Sequence, residues 1–248
     1  MGCMKRISSY IRWVGAGLVA LFVTVGCAKD YMADVERAYP DMSNSATEDL
    51  AIGTLRSQEG VRYIKLDEKT CSQVVNPEAV SDLNDGTRVF LEFRYVVYEK
   101  VVAFCTDAIL VEWASPIDAG DVSILNFEEC FSTEQTRSLK YSDPVDIVLD
   151  WMTSLEDGFL TLHYRTPQSG DKKHSFALYR SMNVNDQYAY YLVHNADGDK
   201  GPVSEGIVCF DVSYLLPDTE GETVKLSLVY IDSNNTEKRL TVEYCSPK

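Results

Sequence analysis

The stretch Arg88-Val89-Phe90-Leu91-Glu92-Phe93-Arg94-Tyr95-Val96-Val97-Tyr98 decides the fold class. Val89, Leu91, Phe93, Tyr95 and Val97 alternate with Arg88, Phe90, Glu92 and Arg94. That period of two marks a half-buried strand, because successive side chains point to opposite faces of a sheet. Upstream, Asn84-Asp85-Gly86 supplies a turn, and residues 50–56 and 61–66 read as shorter strands parted by Gly60. Downstream, Glu99-Lys100 is read as a tight turn into a second long strand over 101–113. Two long antiparallel strands preceded by short ones predict a small barrel of about five strands over 49–117.

The same punctuation continues in the second half. Strands are expected at 145–149, 159–166, 174–179, 188–194, 207–212, 224–231 and 238–244. Between them lie Gly158, Pro167-Gln168-Ser169-Gly170, Asp197-Gly198-Asp199, Gly221 and Ser233-Asn234-Asn235. Short strands with turn signals at such intervals predict an antiparallel β-sandwich over 143–248. The less regular segment 118–142 reads as a connector, and the fold class as all-β. Fifteen Tyr and nine Phe are in keeping with strands rather than helices.

The N-terminus reads as an address. Lys5 and Arg6 precede an apolar run that ends at Gly26, with no acid among residues 1–26. A basic start, a short apolar run and a small residue before a cleavage point describe a secretory signal. From Trp13 to Gly26 there are 14 residues, about 21 Å as a helix, short of a ~30 Å hydrocarbon core. The run closes on Val23-Thr24-Val25-Gly26-Cys27, which resembles the lipobox of bacterial lipoproteins, with Thr24 where Leu is usual. Cys27 is therefore the expected acylated residue, and 27–48, broken by Pro40, the tether behind it. Each buried acyl methylene contributes about 0.8 kcal/mol, so several chains hold a soluble body on a bilayer.

Charge narrows the partners. The chain carries −15, and loss of Lys5, Arg6 and Arg12 with the signal takes it to −18. Phosphate backbones would repel such a body, so nucleic acid is excluded as a partner. Of seven cysteines, Cys3 leaves with the signal and Cys27 takes lipid, so Cys71, Cys105, Cys130, Cys209 and Cys245 remain. An odd set cannot pair completely. Cys209 and Cys245, both in strands of one block, are the pair most open to a disulfide, and the others read as buried thiols.

Together these stretches resemble the NigD-like lipoproteins of Bacteroides and relatives. The matching segments are Tyr63-Ile64-Lys65-Leu66-Asp67, Asp85-Gly86-Thr87-Arg88-Val89, Asp143-Pro144-Val145 with Trp151, and Leu160-Thr161-Leu162. His194-Asn195-Ala196-Asp197-Gly198-Asp199 and Gly206-Ile207-Val208-Cys209-Phe210-Asp211-Val212 complete the set in order. The resemblance implies an N-terminal OB-like barrel, a C-terminal β-sandwich and an outer-membrane address in the cell envelope. Its namesake's association with a bacteriocin locus implies an immunity role. Many relatives carry an acidic run after the acylated cysteine; here Ala28-Lys29-Asp30 stands instead, leaving periplasmic and surface exposure both open.

No catalytic or metal motif emerges. Asn195, Asp197 and Asp199 start like a calcium loop, but Lys200 and Gly206 occupy the positions that need Gly and a bidentate Glu. His163 and His174 flank the turn at 167–170 and would face each other in a symmetric hairpin. Two ligands without a third make a poor site, so both read as solvent-facing. Gly-x-Ser-x-Gly, HExxH and phosphate loops are absent from the sequence. Tyr188, Tyr190 and Tyr191 form a candidate stacking platform for a sugar or peptide, weighed against core packing. The expectation is a non-enzymatic binding protein with no cofactor and no metal, a membrane anchor, and a protein or glycan partner.

Overall fold

In the computed structural model, which describes residues 49–67, 69–125, 142–181 and 188–246, the alternating strand builds a barrel. Its strands are β1 (Asp49–Gln58), β2 (Val61–Lys65), β3 (Cys71–Val74), β4 (Arg88–Val96) and β5 (Asp107–Pro116). They close in the order β1-β2-β3-β5-β4. β3 and β5 run parallel and every other pair antiparallel, as in a five-stranded Greek-key barrel of the OB type. Val89, Leu91 and Phe93 point inward to Leu55, Ile64, Val74, Ile109 and Val111. A 3-10 turn, Pro77–Val80, adds Val80 to this core.

The β3–β5 ladder continues beyond β3 through a side chain. Buried Asn76 donates from Nδ2 to the Val111 carbonyl at 2.8 Å and accepts from the Val111 N–H at 2.9 Å. Its amide thereby satisfies the two backbone groups that the end of β3 would leave orphaned. The expected turn at Glu99-Lys100 does not form. β4 ends at Val96 and β5 begins at Asp107, leaving a loop over 97–106. The apolar residues 101–105 pack down on the barrel instead of pairing: Phe104 meets Tyr63 edge-on at 5.3 Å, and the Val102 N–H donates to Gln73 Oε1 at 2.9 Å.

The sandwich comprises β6 (Asp118–Ala119), β7 (Asp121–Leu125), β8 (Asp146–Val148), β9 (Ser154–Glu156), β10 (Phe159–Pro167), β11 (Ser175–Ser181), β12 (Ala189–Asn195), β13 (Val203–Asp211), β14 (Val224–Ile231) and β15 (Glu237–Tyr244). One sheet runs β6-β13-β10-β8 with β9 also on β10; the other runs β15-β14-β12-β11-β7. Leu162, Tyr164, Val208 and Phe210 of the first sheet meet Phe176, Leu178, Leu192 and Leu228 of the second in one core. Most pairings are antiparallel, but β6–β13, β7–β11 and β12–β14 are parallel.

The first eight residues of the segment read as a connector, 118–125, are strands of the sandwich, apart from Gly120 between them. The remainder, 126–141, lies outside the described residues, as do Cys27 and the tether. Gly120 lets the chain step from one sheet to the other while the Phe210 ring lies against it. A Cβ there would fall within the envelope of that ring. Gly120→Ala is expected to cost about 2 kcal/mol through overpacking, read as a lower urea midpoint with an unchanged slope.

The pairing expected of Cys209 and Cys245 is corrected. Cys209 sits in β13 with its thiol directed to the Ile117 carbonyl, whereas Cys245 follows β15 in the opposite sheet and contacts the Ser246 carbonyl. Both lie in one block, but on different layers of it. The thiols that do approach each other are Cys71 and Cys105 in the barrel, with their sulfurs 2.7 Å apart.

Candidate functional site

The outer face of β4 carries Arg88, Phe90 and Glu92, in cross-strand register with Thr54, Ile52 and Leu50 of β1. From one end to the other this face passes from buried to exposed. Arg88 is sealed beneath the sandwich, its side chain 0% exposed. Nη1 donates to Thr54 Oγ1 at 3.1 Å, Nε to Thr161 Oγ1 at 3.4 Å, and Nη2 reaches Glu156 at 3.5 Å. Its guanidinium also lies 5.9 Å from the Phe159 ring centroid.

A second clamp closes the same seam. Asp157 and Gly158, both at positive φ, form the two-residue turn between β9 and β10, the backbone that an Asp-Gly pair favours. From this turn the Asp157 carboxylate accepts Lys65 Nζ at 2.5 Å and Arg56 Nη2 at 3.1 Å from the barrel. Burial works against its charge, but these two cations outweigh burial and hold the carboxyl below its ordinary range. A lowered carboxyl stabilises the fold above the ordinary Asp value and loses that contribution as pH falls through the folded value. Asp157→Asn keeps the turn and removes the charge; about 1–2 kcal/mol of lost stability at pH 7 is expected, with the difference from wild type closing in acid.

Beyond the clamps the face opens into an aromatic ladder. Phe90 lies between Trp113 of β5, at 5.5 Å between ring centroids, and Trp151 of the sandwich, stacked at 5.9 Å. Trp113 is 40% exposed and Trp151 51% exposed, with Leu50 and Leu149 also exposed nearby in sequence or register. Trp113 Nε1 donates to Glu92 Oε2 at 2.6 Å, which fixes the indole. Large aromatic side chains held rigid on a protein surface give much contact area at little entropic cost. Sequence reasoning missed this site because Trp113 and Trp151 come from different halves of the chain. The available signal was Phe90, an aromatic on the otherwise polar face of β4.

The sites expected from sequence fare differently. Tyr190 is buried and donates its hydroxyl to the Leu215 carbonyl at 3.1 Å. Tyr188 packs against the sandwich core. Tyr188 and Tyr190 therefore belong to the core, while Tyr191 lies on the opposite face of β12, between Tyr179 of β11 and Val229 of β14. His163 and His174 do not face each other, since β10 and β11 belong to different sheets and the 167–170 turn crosses between them. Neither is solvent-facing. His163 is buried, with Nδ1 2.7 Å from Asp150 and Nε2 3.4 Å from Glu205. His174 lies between Asp199, at 3.2 Å, and the buried His194, at 2.9 Å.

Two of the three residues of the failed calcium loop, Asn195 and Asp199, are occupied internally. Asn195 accepts the Asp197 N–H, and Asp199 accepts the N–H groups of Gly201 and Ser169, both at 2.8 Å. These bonds hold the Asp199 carboxyl well below its ordinary range, with burial opposing them. Among the described residues no group of three His, Cys, Asp or Glu side chains is arranged to hold a metal ion. A cleft of about 310 Å³, open mouth included, enters the sandwich between Leu155, Leu160, Leu216, Leu226 and Val242. It is an extension of the apolar core, with no carboxylate among its lining residues.

Residues 128–244 match the family model of the NigD-like C-terminal beta sandwich domain. No curated protein matches the chain. Among solved structures, a protein from Parabacteroides distasonis provisionally named toxin related aligns at 24% identity and a TM-score of 0.65, over 80% of this chain and 94% of that one. A NigD-like immunity protein from Bacteroides caccae aligns at 16% identity and a TM-score of 0.56, over 82% and 99%. A protein from Bacteroides fragilis provisionally named a lipoprotein aligns at 12% identity and a TM-score of 0.54, over 82% and 100%. The described body thus has the fold of these solved structures, and residues 128–244 of this chain match a NigD-like C-terminal beta sandwich domain.

Proposed function

We propose that this chain is a lipoprotein of the bacterial cell envelope, anchored through acylated Cys27 after removal of residues 1–26, that binds a protein partner without catalysis. The observation that carries the binding is the exposed Trp113–Phe90–Trp151 ladder beside a seam locked by Arg88 and Asp157. Tryptophans fixed on a rigid frame are typical anchors of protein interfaces. The partner favoured is a toxin, as for an immunity protein; the name of the Bacteroides caccae relative supports this reading. The test is a deletion strain challenged with the antagonistic activity of neighbouring strains. Sensitivity should rise, return to wild type with the intact gene, and stay high with Trp113→Ala/Trp151→Ala. Unchanged sensitivity of the deletion strain removes the immunity role.

The same two indoles also suit stacking on a sugar ring, which makes a surface glycan the second reading. A glycan array that shows no binding above the level of the double Trp variant discards it. For the anchor, Cys27→Ser is expected to abolish incorporation of labelled palmitate and to release the protein from the membrane fraction. Unaltered labelling of that variant would place the acyl chains elsewhere.

A further inference from the structure

Cys71 opens β3, and Cys105 lies at the end of the 97–106 loop, two residues before β5. The strands that follow them are parallel neighbours, with Ser72 in register with Asp107. Between the two cysteines the backbone is already tied. The Thr106 N–H donates to the Cys71 carbonyl at 2.8 Å, and its hydroxyl donates to the same oxygen at 2.9 Å. The thiols are thus brought together by the ladder itself, at 2.7 Å between sulfurs, closer than two unbonded sulfurs pack.

We propose that Cys71 and Cys105 form a structural disulfide that staples the 97–106 loop to the third strand of the barrel. Each thiol gives up its proton, and the pair gives two electrons to an external disulfide, which leaves as two thiols. Nothing about the pair suits a catalytic thiol. Burial, then the bond to Cys105, pushes Cys71 up to about 12, and burial pushes Cys105 up as well. Thiolate, the species that attacks disulfides, is therefore scarce once the barrel has closed. The loop held in this way covers Tyr63 and Gln73 on β2 and β3, and the cross-link spans 34 residues of chain. A loop of that length removes considerable entropy from the unfolded state.

The full chain, reduced and unfolded, is refolded in detergent with reduced and oxidised glutathione, then blocked with N-ethylmaleimide. Digestion with trypsin and a glutamate-specific protease cuts after Glu112 and so separates Cys105 from Cys130. A linked pair of peptides containing Cys71 and Cys105, split by reductant, is expected. Reductant should also lower the melting temperature by on the order of 10 °C, and Cys71→Ser/Cys105→Ser should melt at one temperature with or without it. Both cysteines carrying maleimide, a link from either to another cysteine, or a wild-type melt indifferent to reductant would overturn the proposal. Because glutathione supplies the oxidant, the outcome is independent of whether the chain is exported.

Discussion

Replacing Arg88 with alanine is expected to lower the unfolding free energy by about 3 kcal/mol, measured as a drop in urea midpoint. The ion pair to Glu156 is the lesser part of this loss. Its 3.5 Å separation is long, and Glu156 is 38% exposed and so screened. The greater part is the guanidinium's packing under the sandwich and the hydroxyls of Thr54 and Thr161, which lose their donor within a dry seam. Two controls separate these contributions. Glu156→Gln should cost less than about 1 kcal/mol, whereas Arg88→Met, which keeps the apolar stem, should fall between Glu156→Gln and Arg88→Ala. If Glu156→Gln costs as much as Arg88→Ala, the seam is held by charge rather than by packing. Because Phe90 stands next on the same face of β4, loosening Arg88 should also weaken partner binding without touching either indole.

The legible parts of this molecule were those written locally. The alternation from Val89 to Phe93 gave an inner and an outer barrel face, and β14 was readable because hydrophobic residues and flanking turns bound it within the sequence. β3 was missed because Cys71-Ser72-Gln73-Val74 has no alternation of its own. It becomes a strand through β2 on one side and β5 on the other, partners set by tertiary structure. β6 and β7 escaped for the same reason, each being short and paired in parallel with a strand far along the chain. The 167–170 turn has hairpin residues yet crosses between sheets; turn chemistry reports a change of direction, not the strand that is met next. The candidate site followed the same division. Phe90 was visible as an anomaly in one strand, but its stacking on Trp151 depends on how barrel and sandwich meet.

His194→Ala is expected to cost about 3 kcal/mol at neutral pH, and the cost has two separable origins. The ring is 1% exposed and stacks on Phe176 at 4.6 Å and 13°, so its loss opens a cavity. It also links a polar chain: Asp199 to His174 Nε2, His174 Nδ1 to His194 Nε2, and His194 Nδ1 to the Asp143 carbonyl. A proton added to His194 would place a positive charge in a buried chain next to His174. Burial, then the His174 charge, accordingly holds His194 below the ordinary histidine value, with the Asp143 side opposing. Stability from this group is complete above an unfolded value near 6.5 and is lost as pH falls through the lower folded value. His194→Phe keeps the ring stack and removes the titration. Its destabilisation relative to wild type should be largest near pH 8 and shrink on acidification, as wild type gives up what the variant never had. A difference that stays constant from pH 8 to pH 5 would mean that His194 serves the core through its shape alone.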